Sequence, residues 1–449
     1  MFNEQASSLG YDNSISLRSR QFAGDVQIDP NQALYQEVRE VVGLLFEVEQ
    51  EIPITDEMEW IQRRDLFLLS MDSQLVLSFR GRLTTDAEYA YTYLDDALKP
   101  HDLFPLLRQK GGVQFIHIVR GRVKPIDGGR VLSLILFIMT VFSVLFVGML
   151  MAISDIGFGN PARAQRLLET PLSSIWLGLP YGISIMTILG AHELGHYFAA
   201  RFHKTAASLP YFLPFPFGLF GTFGAAIRLR EPMRNRKVLF DIGASGPLAG
   251  LVFAIPILFI GLATSDVGLS LGGFVEGNSI FYALAKLAVF GEFLPSVDGR
   301  DVFVNQMAWA GWTGLLVTGL NLIPVGQLDG GHILYALVGR FAKLIYYPLI
   351  GGLLILTITL SPQLLFFVLL LVIFGNMQAI PLNDITPLGK WRKVLAVLCL
   401  IIFLLVFVPI PLQQARVPEL PEQIPAQTHT LYLLPAFLIV LWQHVHKRG

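Results

Sequence analysis

Charge and cysteine are what this chain has least of. Asp, Glu, Lys and Arg together make up only 15% of its 449 residues, and they nearly cancel to a net charge of −1. Such a balance provides no basic field for nucleic acid and no charge excess for an acidic partner. The single cysteine, Cys399, lies in an apolar run, so an intramolecular disulfide is excluded and the thiol reads as a lipid- or core-facing filler. The first 30 residues show no positively charged flank followed by an apolar stretch, so no secretory signal is expected there. Apolar residues are abundant instead. Hydrophobic types reach 53%, with 33 Phe, and the mean hydropathy is +0.55, the profile of a polytopic membrane protein.

Polarity divides the chain into three. Residues 1–30 read as a polar, flexible tail, 31–125 as a small soluble α+β domain, and 126–449 as a membrane-embedded domain. The expected fold class is mainly α, a polytopic helical membrane protein of about eight spans carrying that N-terminal domain. Within 31–125, Leu34, Val38, Val41, Leu45 and Val48 recur at helical spacing, predicting one helix over Asn31–Glu51. Leu66–Leu69, Leu75–Phe79 and Val113–Val119 read as strands. Thr85-Asp86-Ala87-Glu88 reads as a capping box opening a helix to about Leu98. No motif in this domain carries chemistry, leaving a regulatory or docking role and a structural one both open.

From Val131 onward, apolar stretches near the ~20 residues needed to cross a bilayer follow one another. They lie near 131–153, 172–202, 239–263, 306–323, 344–361, 364–380, 394–411 and 430–446, the fifth and sixth being either two spans or one re-entrant element. Lys and Arg crowd the connecting stretches 120–130, 201–238, 324–343, 381–393 and 447–449 and are sparse at 154–171, 264–305 and 412–429. The positive-inside rule then places both termini on the cytoplasmic side or its organellar equivalent.

One motif stands out at the end of the second span. His192-Glu193-Leu194-Gly195-His196 places two of only 9 histidines four residues apart, on one face of a helix, where they can hold one metal ion while the adjacent glutamate works on a bound water. Zinc is the default metal for such a set. Pro180 interrupts the span and leaves a helix from about Tyr181 to Phe202. Arg201, five residues past His196, is the first charge beyond the motif, so the metal would lie roughly 8 Å or more below that charge at helical rise. Ionisable groups at that depth are costly unless they pair or bind something, which makes all three functional candidates.

Two histidines leave a catalytic zinc short of the usual three protein ligands. The candidate for the third is Asp329, in a Pro- and Gly-rich loop, Asn321–His332, which follows the 306–323 span and returns to the face bearing the histidines. His332 is a competing ligand. Gly246 and Gly250 form a small-residue face that lets the 239–263 helix pack closely against the metal-binding helix.

With HELGH in an apolar helix and NLIPVGQLDG at Asn321–Gly330, the chain resembles the site-2 protease family of zinc intramembrane metalloproteases. Phe220–Ile227 and Gly243–Gly250 look like the cyanobacterial and chloroplast branch, which includes the ethylene-dependent gravitropism-deficient and yellow-green proteins of plants. The likeness covers roughly residues 125–400. It implies an enzyme with His192, His196 and Asp329 as Zn2+ ligands, Glu193 as general base and Asn321 as a donor to the developing oxyanion. It also implies transmembrane protein substrates, a lipid bilayer as surroundings and no nucleic acid. The expected location is a prokaryotic plasma membrane or a thylakoid or other chloroplast membrane.

A substrate helix must be unwound to expose its peptide bonds. Thr222–Leu229, with Thr222, Phe223, Gly224, Ala225 and Ala226 at its core, reads as a strand or hairpin whose edge pairs with unwound substrate, or else as an interfacial loop anchored by its aromatics. Two other functions share the same residues. A metal-ion transporter would need several polar spans or repeated halves, which are not seen. A non-proteolytic scaffold would not need Glu193, which is present.

Overall fold

The computed structural model describes residues 30–53, 74–122, 129–269, 274–359 and 379–414, with 365, 368–369, 371–372 and 375. The N-terminal region is α+β. Helix α1 (Pro30–Gly43) leads into strands β1 (Phe46–Glu51) and β2 (Gln74–Leu83). Helix α2 (Ala87–Leu98) precedes β3 (Leu103–Lys110) and β4 (Val113–Arg120). The sheet is antiparallel in the order β1-β2-β4-β3, and its apolar face packs on Val38, Val42, Tyr91, Leu94 and Leu98 of the helices. The helix expected over Asn31–Glu51 is therefore only partly helical: α1 ends at Gly43, and Phe46–Glu51 is a strand in which Phe46 is buried and the rest exposed. The cap of α2 also differs. Asp86, not Thr85, accepts the amides of Glu88 and Tyr89, and this frees Glu88 for a distant partner. Strand β3, rich in Leu but containing Pro105, had no expectation attached to it. The strand read at Leu66–Leu69 lies outside the described residues.

Four helical stretches are long and apolar enough to cross a membrane by length and composition: Arg130–Gly159 (α3), Pro171–Phe202, Arg236–Ala263 (α5) and Asp329–Thr359. The second holds α4 (Leu179–Phe202), with Pro180 in its first turn, where a missing amide costs nothing. The last is bent at Gly339, in the left-handed region at φ 63, between α8 (Asp329–Val338) and α9 (Ala342–Thr359).

Two other expected spans are shorter helices. The 306–323 stretch is α7 (Gln306–Asn321), 16 residues and thus about 24 Å long, and Ala308, Gly311, Trp312, Gly314, Leu315 and Thr318 are among its many buried residues. It is a central helix wrapped by the others. The 394–411 stretch is α10 (Lys390–Val406). Most of 364–380 and all of 430–446 lie outside the described residues. Between α5 and α7, the short helix α6 (Ile280–Phe290) and strands β7 (Asp266–Leu269), β8 (Phe274–Glu276) and β9 (Arg300–Phe303) form a cap.

The N-terminal sheet is fastened to the helices through its β3 edge. The amide of Leu107 donates to the Leu382 carbonyl, and Asp384 returns a bond to Leu107. The same 382–384 segment pairs on its other side with Met233 and Arg234, just before α5. An exposed strand edge invites foreign pairing; here it is covered by the chain itself. Buried Arg108 donates to the carbonyls of Pro381 and Leu382, and fully buried Asn383 donates to Ala87 and Thr386. Glu88, released from the cap, pairs with Lys237 at 2.6 Å and Asn235 at 3.1 Å.

Candidate metal centre

Helical spacing on α4 brings His192 and His196 onto one buried face. The Nδ1 of His196 lies 2.7 Å from the carbonyl of Ile242 on α5. A carbonyl can only accept, so Nδ1 carries the hydrogen, and the Nε2 of a neutral ring presents a lone pair. That lone pair points at two other basic atoms: His192 Nε2 at 3.2 Å and Asp329 Oδ2 at 3.3 Å. The triangle closes with 3.4 Å between His192 Nε2 and Asp329 Oδ2.

Two imidazole nitrogens and a carboxylate oxygen converging in a buried site are the donor set that a divalent cation takes. For zinc bonds of 2.0–2.1 Å in a tetrahedron, neighbouring ligand atoms sit about 3.3 Å apart, so the three sides fit one tetrahedral face and leave a fourth position open. Among the described residues, this is the group of His, Cys, Asp or Glu side chains placed to hold a metal ion. His332 is not in it. It lies against α5, where a Cβ on Gly243 would come within 2.9 Å of its own Cβ.

Asp329 is not on a loop, as its Gly-rich surroundings suggested, but is the first residue of α8. The positive end of that helix favours a carboxylate there. Gly330 and Gly331 allow this placement: a Cβ on either would fall 2.0 Å from the Leu322 carbonyl or 2.5 Å from those of Val325 and Gly326. The glycine face expected on α5 is present and reaches the site. A Cβ at Gly246 would lie 2.0 Å from His196 Nε2, and one at Gly250 would lie 3.3 Å from His192. Across the same contact, Gly195 of α4 faces the Ser245 carbonyl, which its own Cβ would approach to 2.6 Å.

Glu193 is buried beside the triangle and takes a hydrogen bond from the backbone amide of Ile227. That amide follows directly on β6 (Thr222–Ala226), which pairs antiparallel with β5 (Tyr211–Pro214). The stretch read as Thr222–Leu229 is thus a hairpin ending at Ala226, with Leu229 bridging instead to Ala207. Thr222 holds the turn: its hydroxyl donates to Leu213 and accepts from Gly224. Phe223 is exposed and stacks on Phe215 at 4.0 Å. Gly224, Ala225 and Ala226 lie along β6, in a sheet of only two strands. Asn321, the last residue of α7, has its Nδ2 3.2 Å from His192 Nε2. The Ile242 carbonyl and Ile227 amide were missed by sequence reasoning because backbone groups leave no residue signature.

Residues 181–356 match Peptidase family M50. Over 63% of its length, the chain is 32% identical to a probable zinc metalloprotease EGY1, chloroplastic, of Oryza sativa subsp. japonica, covering 50% of that protein. The Arabidopsis thaliana protein of the same description is 29% identical over 62% of this chain and 53% of its own length. A probable zinc metalloprotease EGY2, chloroplastic, of Oryza sativa subsp. indica is 34% identical over 56% of this chain and 46% of its own length. The chain spans about half the length of the curated relatives it matches. No solved structure matches.

Proposed function

We propose, from the match of residues 181–356 to Peptidase family M50, that this protein is a zinc metalloprotease that hydrolyses peptide bonds within or near transmembrane segments of other membrane proteins. The observation carrying the proposal is the triangle of His192, His196 and Asp329 beside a buried glutamate on a helix apolar enough to span a membrane. His192, His196 and Asp329 would hold the zinc, which supplies a polarised water and a Lewis acid when bound.

The chain's own groups do the rest. Glu193 accepts the proton of the attacking water and returns it to the leaving amine nitrogen, the hydrogen bond from Ile227 fixing its carboxylate in place. Asn321, with its amide nitrogen beside His192, donates to the oxyanion that develops on the substrate carbonyl. Ile242 fixes the tautomer of His196. Strand β6 runs into the Glu193 contact, so a substrate strand added along its free edge would lie beside the base. The relatives are named chloroplastic, and a chloroplast or related membrane is the proposed setting, with the N-terminal domain on the cytoplasmic or stromal side.

Glu193→Gln tests the reading. Purified protein reconstituted with a single-span substrate should lose about 10²- to 10⁴-fold in cleavage rate while retaining bound zinc by elemental analysis. Cleavage at the wild-type rate would overturn the mechanism. A chelator should abolish wild-type cleavage, and added zinc should restore it.

A further inference from the structure

A cavity of about 370 Å³ opens between the N-terminal sheet domain and the loops that follow α4 and precede α5. Its volume is that of a small-ligand site. Its walls are preformed, because the loops are paired backbone to backbone: Arg230 donates to Ala206, and Leu382 donates to Met233. Asp102 and Lys204, the described non-glycine residues with positive φ, at 57° and 55°, both line it. Glycine would adopt that conformation at less cost, so two side chains are kept there against the backbone preference.

Charge indicates the ligand. Among the lining groups, Arg122 is held by Asp95 at 2.6 Å, and Glu231 accepts the amide of Ala206. Lys99 from the sheet domain, Lys204 after α4 and Arg234 before α5 are exposed cations without an ion-pair partner among the described residues, facing one further carboxylate, Asp102. Three cations brought from three separate segments can grip one multiply charged anion, as phosphate groups require.

We propose that this cavity binds a phosphate-bearing anion, and that the anion bridges the sheet domain to the ends of α4 and α5, the helices that carry and cover the two histidines. The chemistry is shared by anionic lipid headgroups at the membrane surface and by soluble phosphate compounds.

Two arms separate the sources. The full chain in neutral detergent is titrated calorimetrically with inorganic pyrophosphate. In parallel, the chain is reconstituted in phosphatidylcholine nanodiscs with and without phosphatidylglycerol, and retained phosphatidylglycerol is measured by mass spectrometry. Saturable binding in the first arm identifies a soluble ligand, and selective retention in the second a headgroup; either supports the proposal. The paired substitution Lys204→Gly with Arg234→Gln should weaken binding at least tenfold. It should leave the thermal midpoint unlowered, since glycine removes the left-handed strain at position 204. Lys99→Gln, on the opposite wall, should weaken binding independently. The proposal is overturned if neither probe binds, or if wild type and all variants bind alike. Neither arm depends on proteolysis, so failure here is distinguishable from failure of the protease reading.

Discussion

Two buried polar clusters in this protein differ in how their charges are balanced. At the candidate metal centre, His192, His196 and Asp329 turn two ring nitrogens and a carboxylate oxygen toward one point. In the cap, fully buried Lys286 sits between Glu276 at 3.0 Å and Asp301 at 3.1 Å, with the Tyr282 hydroxyl donating to Glu276 and its ring beneath the ammonium. The cap cluster supplies its own cation, so its members satisfy one another. At the candidate metal centre, no Lys or Arg among the described residues pairs with Asp329; its partners are the two histidines. Burial of polar groups is therefore a poor sign of function by itself; burial with unbalanced polarity is the better one.

Breaking the metal centre should remove function and spare the fold. Asp329→Ala takes away one corner of the triangle and should abolish both zinc retention and cleavage, with the circular dichroism spectrum unchanged. Retention of stoichiometric zinc in that variant would sink the ligand assignment. Gly246→Ala approaches the same point from α5. Its new methyl would lie 2.0 Å from His196 Nε2, so activity should fall nearly as far, with a stability loss of about 1–3 kcal/mol from overpacking.

Breaking the cap cluster should do the reverse. Lys286→Met strands two buried carboxylates and should cost about 3–5 kcal/mol, read by denaturant unfolding in detergent, while zinc content stays at the wild-type level in whatever fraction remains folded. If zinc were lost from folded Lys286→Met protein, the two clusters would not be independent.

The smallest effect belongs to Glu276→Gln, because glutamine still accepts from Tyr282 and leaves Lys286 paired with Asp301. Burial lifts the Glu276 carboxyl above its ordinary value against the pull of Lys286, with Asp301 adding to the rise. The native state then holds that proton more tightly than the unfolded chain. Stability falls as pH rises from the ordinary carboxylate range through the raised one. Glutamine cannot ionise, so the variant should flatten that slope; an unchanged pH profile would assign it to another group.

The convergence of the candidate site residues was largely legible because it depends on residue type and short spacing. HELGH puts two candidate ligands and a candidate base on one helical turn, whatever surrounds it. The bare glycines at 246 and 250 announced a close helix contact, and the structure places both against the histidines. Less was legible where one pattern serves two structures. Helical spacing from Leu34 ran on into residues that form β1, because the edge strand's fit to β2 overrode local periodicity. A capping box was read at Thr85, but Glu88 was drawn instead to Lys237 and Asn235, far along the chain.

By itself, the sequence determined the apolar character of the chain, the helix carrying the paired histidines and Asp329 as the candidate third ligand, since composition and i,i+4 spacing are local properties of the chain. Tertiary structure alone decided that Asp329 closes a triangle of about 3.3 Å sides, the spacing expected for zinc. It also decided that Ile242 sets the histidine tautomer, that Ile227 holds Glu193, and that the N-terminal sheet is sealed by residues 382–384. Those contacts join backbone groups or residues more than a hundred positions apart, and a backbone amide or carbonyl is the same in every residue until folding gives it a partner.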